Sequence, residues 1–273
     1  MRDSAPEEFR AAVLEHYRLE GRSFPWRDTL DPWSILVSEF MLQQTQTSRV
    51  LPKYLRWMET WPDPAALAAA PLSEVYAAWS GLGYNSRALR LREAARAVAA
   101  MPGGRLPGDE NALLALPGVG PYTARAVLAF AWRKPVILVE TNIRAAIIFH
   151  FFPGRESVRD RELEPVLDAV MDRSDPRTWY YALMDYGAWL KKREPNPSRA
   201  SAGYARQGAF RGSAREARGA VLRVVSSLSG TGAGLDWLEE HSGLPRERLE
   251  RAAGDPVAEG LLSYRDGRFS FPD

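Results

Sequence analysis

LPGVGPYT, at positions 116–123, is a glycine-rich turn between two segments with helical patterning. Its glycines, Gly118 and Gly120, make backbone N–H groups available at the start of the helix that follows. Such groups bind an anion through hydrogen bonds and the helix dipole. Because a helix is also predicted over 109–115, the pattern predicts a helix-hairpin-helix that binds a phosphate of DNA.

The composition is that of a globular chain without cysteine chemistry. The 273 residues are 45% hydrophobic, include 9 Trp, and suffice for two or three small domains. The chain has no cysteine, which excludes disulfides and thiolate metal sites, and His16, His150 and His241 are too scattered to predict a metal site. No apolar run approaches the roughly 18 residues that span a membrane, and positions 1–10 lack an apolar signal region. We therefore expect a cytoplasmic protein without membrane contact.

The formal net charge of +2 is small, but the basic residues are unevenly placed. Lys and Arg clearly outnumber Glu between Lys191 and Arg218. A local basic stripe can neutralise DNA phosphates even where the total charge is small. The same composition also suits a solvated, flexible linker, and both interpretations stay open.

Most of the chain has the periodicity of helices bounded by Pro, Gly or Asp. Asp31 and Pro32 mark the N-cap and first position of a helix that runs through WSILVSEFMLQQ (33–44). VILV (136–139) is too short and isolated to predict a sheet. The other helices of this part are predicted over 6–20, 48–60, 64–69, 72–80, 86–100, 109–115, 142–150, 160–172 and 177–190.

The pattern changes after residues 195–213, which are rich in Pro, Ser, Gly and Ala and typical of a linker. The segment LLSYRDGRFSF (261–271) alternates on both sides of Asp266-Gly267, which predicts a β-hairpin. Three helices followed by a hairpin is the element order of a winged helix. These helices are predicted over 214–228, 235–241 and 245–253.

Three polar groups could carry chemistry. Glu39 lies among apolar residues in ILVSEFML (35–42), where desolvation favours a protonated carboxyl that can donate a proton; an exposed glutamate is the alternative. The polar run 43–46 could hydrogen-bond base edges, or it could simply end the helix. Glu140 precedes an apolar helix, where its charge could face a developing cation or only cap that helix.

Taken together, five segments resemble the helix-hairpin-helix (HhH-GPD) DNA glycosylases, and among them the MutY-type adenine glycosylases. The resemblance covers residues from about 10 to 210, and the order of the motifs makes it specific. The segments are FPWR (24–27), SEFMLQQTQ (38–46), GLGYNSRA (81–88), LPGVGPYTA (116–124) and MDYGAW (184–189).

The resemblance implies an all-α, two-lobed HhH-GPD fold. Double-stranded DNA with a mispair or lesion would lie across the cleft, with the target base flipped between the lobes. We expect a six-helix lobe with the hairpin over 24–132, a second helical lobe over 1–23 and 133–210, and a small winged-helix-like domain over 211–273. We also expect a monomer that is associated with the nucleoid when bound to DNA.

The resemblance also assigns roles to residues. Glu39 matches the catalytic glutamate, which protonates the base as the bond breaks, and Glu140 matches the anion that stabilises the sugar cation. Tyr122 matches a position that is Lys in glycosylases with lyase activity; a Tyr has no amine for a Schiff base, which implies hydrolysis alone. DNA contacts are implied for Gln43, Gln44, Thr45, Tyr84, Gly118, Gly120, Arg199 and Arg206. The base pocket is implied for Arg22, Trp26, Arg27 and Tyr181.

Two departures from the family concern the candidate active site. The family normally has Asp at the position of Glu140; Glu is the poorer N-cap, so we expect Thr141 to cap the helix. Tyr181 lies where adenine-specific members have Glu or Gln facing the base.

Two further departures concern the loop after residue 190 and the C-terminal region. The positions of the family's iron–sulfur ligands fall on Lys191, Ser198, Ser201 and Gln207, none of which is a thiolate, so no cluster is expected. We expect loop packing and basic residues to replace the metal-held loop. The hairpin 116–120 could hold a monovalent cation. A small helical region stands where the family has its 8-oxoguanine-reading domain.

The expected function is hydrolysis of the N-glycosidic bond of a flipped, mispaired base during base excision repair. Adenine opposite 8-oxoguanine or guanine is the first choice of substrate. Thymine or uracil opposite guanine, or a modified base, is the second. A DNA-binding homologue without catalysis is the third possibility. Glu in place of Asp at position 140 and the missing cluster ligands are changes expected of a protein that has lost catalysis.

Overall fold

Helices form nearly all the regular structure of the computed structural model, which describes residues 6–205, 208–228 and 232–272. The helices up to residue 193 are α1 (Pro6–Glu20), α2 (Pro32–Leu42), α3 (Thr47–Thr60), α4 (Pro64–Ala69), α5 (Leu72–Trp79), α6 (Ser86–Ala99), α7 (Glu110–Leu114), α8 (Pro121–Trp132), α9 (Thr141–Phe151), α10 (Asp160–Val170) and α11 (Pro176–Arg193). The elements that follow are α12 (Ala214–Ser226), α13 (Leu235–Ser242), α14 (Arg246–Ala258), β1 (Ser263–Arg265) and β2 (Arg268–Ser270).

The all-α fold predicted from the sequence is confirmed, and the helices lie close to their predicted limits. The backbone N–H of Ser34 donates to Asp31 Oδ2 at 2.8 Å, as expected for an N-cap of α2. The prediction that this helix continues to Gln44 is wrong, because α2 ends at Leu42. Gln44 has φ +52°, in the left-handed region that a helix cannot continue through.

The described residues divide into two compact units. The first contains residues 6–36, 107–115 and 119–205. In this unit α9 and α1 both pack against α11, and α7 packs against α8. Aromatic side chains fill the centre: the ring of Phe9 lies 4.9 Å from that of His150, and His150 Nε2 is 2.8 Å from Tyr186 Oη. These contacts fix the helix α9 that begins next to Glu140.

The second unit contains residues 37–106, 116–118, 208–228 and 232–272. Helix α6 packs against α4 and α5, and the buried indoles of Trp57 and Trp79 meet edge to face at 5.5 Å. Helix α12 packs against α13, α14 and α5. The C-terminal elements therefore belong to the same compact unit as α3–α6. The domain boundaries at residues 132 and 210, predicted from the sequence, stay a prediction.

The predicted C-terminal order of three helices and a hairpin is confirmed. Asp266 and Gly267 have φ of +49° and +75°, as a two-residue turn between twisted strands requires. Ala233 pairs with Phe269 through two backbone hydrogen bonds of 2.8 Å. The hairpin is thereby tied to the segment before α13, as in a winged helix. Within the described ranges, none of the helices is long and apolar enough to span a bilayer.

The turn between α7 and α8 depends on Gly118. Its φ is +76°, and a Cβ placed there would lie 2.6 Å from Arg90 Cβ and 3.1 Å from Phe40 Cε1. Only glycine satisfies both the backbone angle and the available space. Gly120 differs, because it has φ −92° with open space around its Cβ position.

We expect Gly118→Ala to lower the free energy of unfolding by about 1–3 kcal/mol, because alanine is strained at positive φ and also collides with Arg90. Urea denaturation followed by circular dichroism measures this change. Gly120→Ala is the matched control and should change stability much less. Equal losses from both substitutions would contradict this account of the turn.

Candidate functional site

The residues singled out from the sequence divide between the two units. Arg206 and Gln207 lie outside the described residues. The second unit carries Glu39, Gln43, Gln44, Thr45, Tyr84 and Gly118. The first unit carries Arg22, Trp26, Arg27, Gly120, Tyr122, Glu140, Tyr181 and Arg199.

Glu39 lies on a helix that is buried on all sides. Every residue of α2 from Trp33 to Met41 is buried, and Glu39 itself is 8% exposed. The predicted burial of this carboxyl is confirmed, and the alternative of an exposed glutamate is wrong. The carboxyl of Glu39 is thereby largely removed from water.

The buried guanidinium of Arg87, on α6, organises the C-terminal end of α2. Its Nη1 donates to the carbonyl oxygens of Phe40 at 2.5 Å and Gln43 at 2.8 Å. Its Nη2 donates to Thr45 Oγ1 at 3.1 Å and to the carbonyl oxygen of Gly83 at 2.9 Å. One side chain thus satisfies carbonyls that a helix end leaves without partners. It also joins residues 43–45 to residues 82–84, which we name the clamped loops.

Each clamped loop contains a residue with strained backbone. Gln44 has φ +52° and Tyr84 has φ +48°, and Tyr84 is 39% exposed. Non-glycine residues keep such angles where their surroundings fix them. Arg87 supplies that constraint, since its Nε donates to the Tyr84 carbonyl at 3.3 Å and its Nη1 to the Gln43 carbonyl.

Sequence reasoning missed the role of Arg87. Burial lowers the pKa of this guanidinium to about 10, so it remains charged at neutral pH. It also lies 5.1 Å from the Trp79 ring, a cation–π distance. The available signal was its place beside the apolar residues Ala88, Leu91 and Ala95 on the buried face of α6.

A cavity of about 370 Å³ in the second unit brings two of the predicted DNA-contact residues together, Gln43 and Gly118. Glu259, from the C-terminal region, lines the same cavity. The full lining is Phe40, Gln43, Ser86, Arg87, Leu89, Arg90, Gly118 and Glu259.

Glu140 is the N-cap of α9. Its Oε1 accepts hydrogen bonds of 2.7 Å from the backbone N–H groups of Asn142 and Ile143. The expectation that Thr141 would cap the helix is therefore wrong, because the longer glutamate side chain still reaches the first-turn N–H groups. The carboxylate lies at the positive end of the helix dipole, where a negative charge is stabilised.

Lys191 extends this polar network from α11. Its Nζ donates to Asn142 Oδ1 at 3.0 Å, and Asn142 Nδ2 donates to Glu140 Oε2 at 3.3 Å. Gly187 permits the close approach of α11, since a Cβ there would lie 1.9 Å from the Asn142 carbonyl oxygen. Burial raises the pKa of Glu140, while the first-turn N–H groups and the charges of Lys191 and Arg144 oppose that rise.

The residues expected in a base pocket converge on a carboxylate that sequence reasoning did not single out, Asp185. Its Oδ1 accepts from Arg22 Nε and Arg27 Nη2, each at 2.8 Å. Burial alone would raise the pKa of Asp185, but these hydrogen bonds and charges outweigh it and lower the pKa. The Tyr181 ring stacks on the Phe130 ring with centroids 4.3 Å apart. The Arg27 guanidinium lies 4.5 Å from the centroid of the Tyr181 ring.

Two further candidates of the first unit are Trp26 and Tyr122. Trp26 is buried and its ring stacks on Phe24 at 4.9 Å with an interplanar angle of 6°. Tyr122 is the second residue of α8, directly after Pro121 and the N-cap Gly120. The predicted helix-hairpin-helix backbone is thus confirmed, while its binding of a phosphate stays a prediction.

The loop at the family's cluster positions is held by hydrogen bonds of its own. Ser198 is 2% exposed and its Oγ donates to Asn196 Oδ1 at 2.7 Å. Ser201 is 8% exposed and forms a bridge with Val158. Hydroxyl and ammonium groups at these positions do not fit an iron–sulfur cluster, which requires thiolates. The described part of the chain contains no grouping of three metal-binding side chains.

Arg199 of this loop lines a second cavity, of about 460 Å³, in the first unit. The cavity is lined by Glu156, Ser157, Arg199, Ala200, Ser201 and Ala202. The contact of Arg199 with DNA stays a prediction.

Comparisons with known proteins agree with these features. Residues 37–166 match the HhH-GPD superfamily of base excision DNA repair proteins. The chain is 36% identical over 286 residues to an adenine DNA glycosylase of Mycobacterium tuberculosis, covering 95% of this chain and 92% of that protein. An adenine DNA glycosylase of Mus musculus is 42% identical over 192 residues, or 66% of this chain and 37% of the mouse protein.

A solved structure shares the fold. The structure of a thermostable thymine-DNA glycosylase matches with a TM-score of 0.61 at 30% identity, covering 67% of this chain and 86% of that chain. The chain belongs to the HhH-GPD superfamily of base excision DNA repair proteins. The family resemblance inferred from the motifs is thereby confirmed.

We expect Arg87→Met to lower the free energy of unfolding by about 3 kcal/mol or more, because several buried carbonyls lose their donor. Arg87→Lys should recover only part of the loss, since an ammonium lacks the planar fork. Urea denaturation monitored by tryptophan fluorescence measures both. Arg96→Met, at an exposed arginine of the same helix, is the control and should change little; a comparable loss there would contradict the clamp.

Proposed function

We propose that the protein is a monofunctional DNA glycosylase that hydrolyses the N-glycosidic bond of adenine opposite 8-oxoguanine or guanine. The observation that carries the proposal is the buried carboxyl of Glu39, within a motif resembling that of the adenine glycosylases. The relatives that cover most of the chain are themselves named adenine DNA glycosylases, which supports the choice of base.

The proposed reaction divides the work between two carboxyl groups. Glu39 donates its proton to the adenine ring, which makes the base a better leaving group. The bond between the base nitrogen and the sugar C1′ breaks with its electron pair on the base, leaving an oxocarbenium-like sugar. The carboxylate of Glu140 stabilises that positive charge. Water then adds to C1′ and releases a proton, which balances the hydrolysis.

The absence of lyase activity is part of the proposal. A lyase step needs an amine that forms a Schiff base with C1′. The resemblance matches Tyr122 to the position at which lyase-active members of the family carry that amine. A phenol cannot form the Schiff base, so the product is an intact abasic site.

The partner proposed here is double-stranded DNA containing a mispair or lesion. Gln43, Gln44 and Tyr84 would contact the duplex beside the target nucleotide, and their place on the clamped loops supports a pre-arranged contact. Gly118 and Gly120 would bind a phosphate through the hairpin, where a monovalent cation could assist. We further propose a monomer that acts in the cytoplasm, at the nucleoid.

A second candidate substrate is favoured by Tyr181. This residue replaces the Glu or Gln of adenine-specific members and is buried against Phe130. A phenol offers different hydrogen bonds to a base than a carboxylate or amide does. Thymine or uracil opposite guanine is therefore the alternative, and the structural relative with TM-score 0.61 is named a thymine-DNA glycosylase.

Base release across all mispairs, with 8-oxoguanine, uracil and hypoxanthine duplexes added, tests the proposal. We expect adenine to be released opposite 8-oxoguanine or guanine, with strand cleavage only after alkali. Glu39→Gln should reduce the rate by a factor of about a hundred or more, because the amide cannot donate the proton. A protein that binds these duplexes but releases no base from any of them would show that the chain is a DNA-binding homologue without catalysis.

The acidic limb of the pH–rate profile should report Glu140. Its carboxylate must be ionised to stabilise the cation, so the rate falls as the pH decreases through its raised pKa. Lys191→Met removes a positive charge that opposes this rise, so we expect the limb to move to higher pH. Single-turnover rates between pH 4 and 8 measure the change.

Two further variants separate charge from packing at this position. Lys191→Arg keeps the charge and should leave the acidic limb close to that of the wild type. Lys192→Met removes a neighbouring, exposed lysine and should not move it. If Lys191→Met lowered the maximal rate without moving the limb, the electrostatic role of Lys191 would be excluded.

A further inference from the structure

The C-terminal region contacts one of the clamped loops directly. Arg215, in the first turn of α12, has its Nη1 3.4 Å from Tyr84 Oη. Its Nη2 donates to the carbonyl oxygen of Gly208 at 2.7 Å. Tyr84 is the exposed residue with φ +48° for which a contact with the duplex is proposed. A basic side chain from outside the glycosylase motifs is therefore held beside that residue.

A second contact fixes the same region independently. The ring of Phe271 stacks on Tyr76 with centroids 5.0 Å apart and an interplanar angle of 25°. Tyr76 Oη in turn donates to the carbonyl oxygen of Asn85 at 2.9 Å, next to Tyr84. Because α12 also packs on α5, which carries Tyr76, the position of Arg215 relative to this loop is set by packing.

The three arginines on α12 differ in what surrounds them. Arg218 forms a bidentate ion pair with Glu259, one bond of which measures 2.6 Å, so its charge is neutralised. Arg223 is exposed and lies eight residues beyond Arg215, roughly 12 Å along the helix. Within the described residues, Arg215 donates to neutral oxygens and makes no ion pair.

Helix stability does not explain the position of Arg215. A cation in the first turn opposes the helix dipole, which favours negative groups there. The acidic residue of this turn, Glu216, is paired with Arg248 at 3.0 Å and accepts from the Gly212 N–H at 2.8 Å. The positive charge of Arg215 is therefore available for an anion outside the protein.

We propose that Arg215 binds a phosphate of the DNA duplex next to Tyr84, so that the C-terminal region forms part of the DNA-binding surface. The inference rests on the proposed function only in requiring duplex DNA as the partner. A guanidinium offers a phosphate paired N–H donors, which match its oxygens. The C-terminal region thereby extends the contact surface of the clamped loops without reading a base.

Binding measured as a function of salt tests this inference. The Glu39→Gln protein is titrated against a labelled duplex with adenine opposite 8-oxoguanine, by fluorescence anisotropy at several KCl concentrations. Adding Arg215→Gln should weaken binding by roughly five- to tenfold and reduce the slope of log K against log salt by about 0.9, the loss of one phosphate contact. Arg215→Lys should retain most of the affinity and the full slope, because the charge remains.

Arg223→Gln is the matched control, since it removes an exposed arginine from the same helix and should leave both quantities unchanged. Thermal melting of each variant establishes that the fold is retained. If Arg215→Gln impairs folding, Arg215→Lys is used in its place. Because lysine keeps the charge, a slope of log K against log salt lower than that of the Glu39→Gln protein would overturn the inference. An unchanged slope in a folded Arg215→Gln variant, or equal losses from Arg215→Gln and Arg223→Gln, would also overturn it. Wild-type base release on the same duplex is measured in parallel, so that a failure of Arg215 with base release intact leaves the proposed function standing.

Discussion

The insertion of a charged guanidinium into the end of α2 is the interaction on which the second unit depends. Helix α2 is buried on all sides, so its last carbonyls cannot be satisfied by water. Arg87 satisfies several of these carbonyls at once, because its Nη1 donates to the carbonyl oxygens of Phe40 at 2.5 Å and Gln43 at 2.8 Å. The helix can therefore stop sharply at Leu42, only three residues after Glu39. The hydrogen bonds of Arg87 therefore fix both the end of the helix that carries Glu39 and the strained loops that follow it.

The carboxylate of Glu140 is held by a different set of interactions. Glu140 is stabilised by the N-terminus of α9, while Asn142 connects it to Lys191 on α11. The family resemblance predicts that Lys191 falls at a cluster-ligand position. In this chain the position supplies a positive charge to the Glu140 network, and buried serines close the loop that follows. Ordinary hydrogen bonds hold this part of the loop, and its role as a replacement for a metal-held loop stays a prediction.

The sequence predicted those features that depend on local pattern. The burial of Glu39 follows from apolar neighbours on both sides, and the turn at Gly118 follows from glycine spacing. Arg87 and Asp185 were not predicted, because an arginine or aspartate on a helix is usually solvated and its partners here are distant in sequence. The cap of α9 was assigned wrongly because intrinsic capping preference does not account for the reach of a particular glutamate.

Among the departures from the family pattern, those at single described residues lie in one unit, whereas the changed C-terminal region lies in the other. Glu140, Tyr181 and Lys191 all belong to the first unit. The motifs SEFMLQQTQ and GLGYNSRA, joined by Arg87, lie entirely in the second unit. Under the proposed function, the residues assigned to the base and sugar can therefore change while Arg87 and the clamped loops stay the same. Under the proposed function, a change of target base would alter the surroundings of Tyr181 and Asp185 in the first unit and leave the hydrogen bonds of Arg87 in the second unit in place.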